Sequence, residues 1–483
     1  MSKSISQPCT AKPKRIIICC DGTWQSATGL DRKTGAASNV AKLCQILASA
    51  GTENGQEYQQ VVYYDAGVGT GAIGMVMSAI QGGSGSGLLE NVIEAYNFIV
   101  NNFTPGDQLY FFGFSRGAFT ARATAGLVNE VGILRPSAMR KFIQKYSAYV
   151  SKGVFEPAFG ETDDWKEFTA PEHNRVVVDR HTQEIKVIGV WDTVGALGVP
   201  AMGHVWRREH TEHRKPYQFH DVALNRRVLH AFQALALDDQ RESFHPSVWK
   251  VRPSKNSVTE LVQCWFPGVH INVGGGSSSS AGEGDFTEQL ASISYTWMLD
   301  LVRPYLAFDD AELEAQKKDW KNATKDNMPD QVKEKQAVKD ERNLFSKAWE
   351  WGLSFGNKEV KKQEHGYAVE EIEDSHGLLY DVMGKPKDRV PQNLSEEDIE
   401  KGWRTNESVH YTVIERQKKL KDMGRPDYVP HAMKGWVYDE KSKTWSLPGS
   451  KKAMPESQPG NGLPIEHSME NWLVEFGKGK VNQ

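Results

Sequence analysis

The strongest chemical signal in this chain is the pentapeptide Gly113-Phe114-Ser115-Arg116-Gly117. A serine with glycine two residues before and two after it suits a sharp turn from strand to helix, where larger flanking side chains would strike neighbouring backbone. The turn lifts the hydroxyl into an exposed position from which it can act as a nucleophile. Serine needs a base to accept its proton, and the base needs an acid to fix its tautomer. Asp192 and His270 follow Ser115 in the order nucleophile, acid, base, each just past a short apolar run. Asp192 also has the plainer reading of a turn or helix-cap residue. His270 lies between a Pro-Gly turn and Gly274-Gly275-Gly276, and His410 and His245 stand in reserve for the same role.

An acyl-transfer site also needs backbone N–H groups aimed at the developing oxyanion. Arg116, the residue after the candidate nucleophile, supplies one. The turn Asp21-Gly22-Thr23-Trp24 ends an earlier apolar run, and the amides of Gly22 and Thr23 suit the second, since glycine permits close backbone approach. A competing motif, Gly69-Thr70-Gly71-Ala72-Ile73-Gly74, matches G-x-G-x-x-G. A dinucleotide site would require a helix, a second strand and an acid about 20 residues on. The chain instead enters Gly82-Gly83-Ser84-Gly85-Ser86-Gly87, so the stretch reads as a glycine-rich loop near the site. Its backbone amides could still take a phosphate group of a substrate.

These residues need a scaffold that brings distant positions to one edge. Apolar runs at Arg15–Cys20, Gln60–Tyr64, Gln108–Phe112, Glu184–Trp191 and Glu260–Phe266 read as strands. Helical spacing marks Leu88–Phe103, Ala118–Val131, Arg226–Leu237 and an amphipathic Phe286–Val302. Strands without polar alternation, separated by helices, indicate a parallel sheet covered on both faces. In such sheets ligands bind at the carboxyl ends of the strands, which is where Ser115, Asp192, His270 and Gly22 fall.

Residues 1–13 are polar and read as a flexible N-terminus, and 14–306 as a catalytic domain interrupted by insertions at about Leu134–Arg180 and Val199–Asn225 that suit a lid. Residues 307–483 form a charged and aromatic region expected to cap the core. Within it Ala311–Arg342 is dense in Lys, Asp and Glu, as in a solvated helix or loop.

The 483 residues carry a net charge of −4, which leaves no global basic footprint for nucleic acid. The five cysteines are few and odd in number, and no Cys/His spacing suggests zinc, so a reducing compartment and no metal are expected. The N-terminus lacks an apolar signal segment, and no stretch approaches the roughly 18 apolar residues of a membrane span. A cytoplasmic protein with at most peripheral membrane contact is expected.

Several stretches together resemble a known family: CCDGTW (Cys19–Trp24), YYDAGVGTG (Tyr63–Gly71), GDQLYFFGFSRGAFTAR (Gly106–Arg122), GVWDTVGALG (Gly189–Gly198), LDDQR (Leu237–Arg241), WFPGVHINVGGG (Trp265–Gly276) and TNESVHYTVIER (Thr405–Arg416). The resemblance is to an α/β-hydrolase domain family of fungi and bacteria, formerly of unknown function. It includes the catalytic domain of type VI secretion phospholipase effectors. It implies a three-layer α/β-hydrolase-like sandwich with a mainly parallel sheet, and a Ser-Asp-His triad at Ser115, Asp192 and His270. Members often carry an aspartate two residues after that histidine; this chain has Asn272. The resulting expectation is a serine hydrolase that cleaves a carboxylic ester, lipid or phospholipid included, with no cofactor. Two rivals remain at this stage: a non-catalytic binding or scaffold protein on the same fold, and a nucleotide binder using Gly67–Gly74.

Overall fold

The computed structural model describes residues 12–22, 37–67, 86–151, 159–169, 177–179, 184–194, 224, 227–251, 259–276, 288–325, 368–370, 372, 386–462 and 468–477. Eleven of its strands make one sheet. From the N-terminal half come β1 (Lys14–Cys20), β2 (Ala50–Glu53), β3 (Gln56–Asp65) and β4 (Gln108–Phe114). A separate short pair, β5 (Ile133–Leu134) and β6 (Val177–Asp179), lies apart. The sheet continues with β7 (Ile185–Trp191), β8 (Val228–Ala236) and β9 (Glu260–Phe266), then β10 (Glu407–His410), β11 (Val437–Asp439), β12 (Thr444–Ser446) and β13 (Ala453–Ser457).

The spatial order is β11-β12-β13-β10-β9-β8-β7-β4-β1-β3-β2. All pairings from β13 to β3 are parallel, and only the two margins are antiparallel. After β1 the chain forms β3 on one side and β4 on the other. The crevice where the direction of winding reverses therefore opens at the carboxyl ends of β1 and β4. Apolar runs on β1 and β4 are buried on both faces, because alternate side chains enter different layers. Ile16, Ile18 and Cys20 join one core with Leu109 and Phe111; Ile17 and Cys19 join the other with Tyr110 and Phe112.

The first core is closed by α2 (Ser86–Asn102), α3 (Ser115–Val131), α4 (Met139–Ser151) and α5 (Asp163–Phe168). The second is closed by α1 (Asn39–Gln45), α7 (Gln289–Val302), α8 (Asp310–Lys325) and α11 (Met469–Gly477). The short α6 (His270–Gly274) follows β9; α9 (Glu396–Glu400) and α10 (Thr412–Asp422) belong to the C-terminal part.

Four sequence expectations change. Arg226–Leu237 was expected to be helical, yet Val228–Ala236 is β8, hydrogen-bonded to β7 and β9 along its length. Its apolar residues fit helical spacing and a doubly buried strand equally well, and the vacancy between two strands decided the outcome. Phe286–Val302 was read as an amphipathic helix, but α7 starts at Gln289 and is buried almost all round. The C-terminal region supplies the missing cover: Trp320 Nε1 donates to Ser292 Oγ at 2.9 Å, and Asp300 accepts from Ser468 Oγ and the Met469 and Glu470 amides. A helix that is apolar on all sides is a buried helix. The insertion after Leu134 was expected to suit a lid, whereas its described part fills the first core with the packed rings of Phe142, Tyr146, Phe159 and Trp165. The second proposed lid, Val199–Asn225, lies outside the described residues except for Leu224. Finally, the C-terminal region does more than cover the core, since β10 and β13 extend the parallel sheet beyond β9.

The charged segment after Ala311 becomes α8, held by buried Leu313 and Trp320. Trp320→Ala should cost about 3–5 kcal/mol through the lost ring and the orphaned Ser292 contact. Urea unfolding followed by circular dichroism checks this; a loss below about 1 kcal/mol would mean that α8 is not fixed on the core.

Candidate active site

Ser115 joins β4 directly to α3 and is held at φ +58°, a left-handed conformation that costs a non-glycine residue energy. Its two flanking glycines make the turn sterically possible. A Cβ on Gly113 would lie 2.6 Å from the Ala118 Cα, and one on Gly117 would lie 2.2 Å from the Cys20 carbonyl oxygen. Helix α3 therefore starts against the end of β1, three residues earlier than its periodicity indicated.

The structure brings the three widely spaced candidates together. His270, the first residue of α6, places Nε2 2.8 Å from Ser115 Oγ and Nδ1 2.5 Å from Asp192 Oδ2. With Nδ1–H donating to Asp192, Nε2 is the acceptor of the serine hydroxyl proton. Asp192 follows β7 at φ +41° and is wholly buried, while His270 is 5% and Ser115 8% exposed. The imidazole is clamped by Phe114, at 4.7 Å between ring centres, and by Phe244, edge-on at 4.9 Å. The His270 backbone N–H donates to Asp239 Oδ2 at 3.2 Å, so the LDDQR stretch anchors the base.

Burial opposes the charge on Asp192, but Arg389 and His270 outweigh it and hold the carboxyl well below the usual carboxylate range. Burial lowers the His270 pKa, and the Asp192 hydrogen bond and charge only partly restore it. The balance favours the neutral imidazole, the form that accepts a proton.

Arg389 carries no sequence signal and was not foreseen. It donates through Nη1 and Nη2 to Asp192 at 2.7 and 2.9 Å, from the segment preceding α9. Asp21 was expected only to end β1 ahead of the oxyanion turn. It is instead a buried carboxylate accepting from Ser38 Oγ, Tyr64 OH and the Gly22 N–H, and burial pushes it up to about 6. This corrects one expected role: the Gly22 amide is already engaged by the Asp21 side chain. Gly22 itself does lie against the site, since a Cβ there would be 3.3 Å from Ser115 Cβ. Arg116 is the second residue of α3, so its N–H sits at the positive end of the helix. Thr23 and the glycine motif Gly69–Gly74 lie outside the described residues.

Among the described residues, no hydrogen bond joins either reserve histidine to Ser115. His410 is fully buried, with Nδ1 on Thr412 Oγ1 and Nε2 on Glu470 Oε1. His245 lies beside Arg389 and Lys387, and burial together with those charges lowers its pKa. Asn272 Oδ1 accepts the Val269 N–H at 3.1 Å and so caps the turn that carries His270. The cap needs only an acceptor oxygen, which asparagine and aspartate both supply, so the amide leaves the turn that carries His270 intact. Among the described residues no group of three or more His, Cys, Asp or Glu side chains is placed to hold a metal ion. Cys19, Cys20, Cys44 and Cys264 are free thiols, and no described helix is long and apolar enough to cross a membrane.

A mostly parallel α/β sheet that aligns a serine, a histidine and an aspartate at its winding reversal defines an α/β-hydrolase-like protein. Residues 14–301 match the family described as "T6SS, Phospholipase effector Tle1-like, catalytic domain", and the chain belongs to that family. An uncharacterised protein of Saccharomyces cerevisiae is 29% identical over 198 residues, 38% of this chain and 27% of that one. Two solved structures are similar at 19% identity. One, of the Tle1 effector bound to the VgrG spike of the type 6 secretion system, has a TM-score of 0.32 and covers 56% of this chain and 52% of its own. The other, an uncharacterised protein from Pseudomonas aeruginosa, has a TM-score of 0.34 and covers 60% and 46%. This chain thus spans about a quarter of the yeast relative and about half of each solved chain, and the fold described above stands on its own strand order.

Proposed function

We propose that this protein is a serine esterase that cleaves a carboxylic ester of an acylated lipid, phospholipids included. The observation that carries the reading is the continuous hydrogen-bonded line Ser115–His270–Asp192, set on a strained strand-to-helix turn. Ser115 Oγ attacks the ester carbonyl as His270 Nε2 takes its proton. Asp192 holds the tautomer and balances the imidazolium. The Arg116 amide, together with that of Thr23, stabilises the oxyanion. His270 returns the proton to the leaving alcohol. A water activated by the same base then releases the acid from the acyl-serine. The lipid preference comes from the family's description as phospholipase effectors.

Fatty-acid release from phosphatidylcholine vesicles, beside a panel of soluble esters of increasing chain length, tests both levels. Turnover of vesicle lipid and long-chain esters is expected. Turnover of short soluble esters alone would remove the lipid assignment and keep the esterase. Turnover of none would remove both.

Because a neutral His270 is the working form and its pKa is lowered by burial, the acid-side midpoint of kcat/KM should lie below the ordinary histidine value of about 6.5. A midpoint above that value would mean that the base is not buried as described.

A further inference from the structure

We propose that Arg389 is a positioning residue of the active site, fixing the Asp192 carboxylate so that His270 receives one oxygen in one orientation. The inference rests on the hydrolase reading above and adds to it a contribution from outside the family-matched span, 14–301.

The geometry is that of a shared carboxylate. Asp192 Oδ1 accepts Arg389 Nη1 at 2.7 Å and the Ala236 N–H at 3.0 Å. Oδ2 accepts His270 Nδ1 at 2.5 Å and Arg389 Nη2 at 2.9 Å. Two parallel N–H···O bonds from a planar guanidinium lock the carboxylate plane as a single donor cannot. The guanidinium is itself anchored: Nη1 also donates to the Ala236 carbonyl at 2.8 Å and Nη2 to the Phe244 carbonyl at 2.7 Å. Ala236 ends β8, and Phe244 carries the ring set edge-on to His270. One buried cation therefore ties together the acid, the strand beside it and the aromatic clamp on the base.

Arg389 also sets the charge balance of the site. The charged groups acting on His270 are Asp192 after β7 and Asp239 and Arg241 after β8, and Arg389, from the C-terminal part, faces the same three. His245 feels the charge of Arg389 together with those of Lys387, Glu242 and Asp239. With Arg389 in place, Asp192 divides its charge between the guanidinium and the imidazole, so it raises the His270 pKa less than an unshared carboxylate would. Removing the cation leaves Asp192 free to stabilise the imidazolium, so the His270 titration should move up.

Two variants of the full chain test this. In histidine-labelled Ser115→Ala protein, the His270 titration midpoint is followed by NMR with and without Arg389→Met, a readout that needs no turnover. It should rise by about one pH unit on removal of the cation; an unchanged midpoint in folded protein overturns the inference. Arg389→Lys keeps the charge but loses the fork, and it decides the matter if Arg389→Met does not fold. Its kcat on a soluble ester should fall about tenfold or more at unchanged KM. A kcat equal to that of the parent, or a loss confined to KM, contradicts the positioning role. Undiminished turnover by Ser115→Ala would instead undo the hydrolase reading, while the titration would still report on Arg389.

Discussion

Ser115→Ala should reduce ester turnover by about 10⁴-fold or more while leaving thermal stability close to that of the parent. The substitution removes one oxygen and keeps the left-handed turn at φ +58°, so the fold loses little. His270→Ala should reach nearly the same floor, and the double variant should fall no further, because nucleophile and base act as one unit. Losses that multiplied in the double variant would show that the two side chains contribute independently, against a shared proton transfer across the 2.8 Å contact.

Gly117→Ala should destabilise the protein by about 3 kcal/mol or more, a large structural effect for the addition of one methyl group. The added Cβ would stand 2.2 Å from the Cys20 carbonyl oxygen and 2.4 Å from that of Asp21. Both obstacles are backbone at the end of β1, so no rotamer change relieves the overlap; α3 must move away from the sheet and carry Ser115 with it. Gly106→Ala is the matched control, at φ +101° with nothing within 4 Å of the new atom. It should cost only the backbone strain, about 1 kcal/mol. Chemical denaturation of both variants makes the comparison, and equal losses would mean that the close packing of α3 on β1 is not what demands glycine at 117.

The two glycines around Ser115 were readable in the sequence because their demand is local: five residues suffice to define the turn. Asp192 and His270 were readable because each ends an apolar run, and a parallel sheet brings strand ends to one edge. Elsewhere the information was not local. Val228–Ala236 carries a pattern that satisfies helix and buried strand alike, and only the hydrogen-bonding edges of β7 and β9 separate the two. The Gly22 amide could be assigned to an oxyanion only while the direction of the Asp21 side chain was unknown; folding turns that carboxylate back onto its own chain. Arg389 lies in the run Lys385-Pro386-Lys387-Asp388-Arg389, where any cation reads as solvated surface. Its burial against Asp192 depends on a C-terminal region that extends the sheet and covers α7, a long-range outcome that periodicity does not encode.

The most direct measurement is to treat the purified protein with a fluorophosphonate and locate the adduct by peptide mass spectrometry. The account predicts one stoichiometric adduct on Ser115, and reaction greatly slowed by His270→Ala. An adduct on another serine, or no adduct in folded protein that retains esterase turnover, would contradict the proposal that Ser115 is the nucleophile.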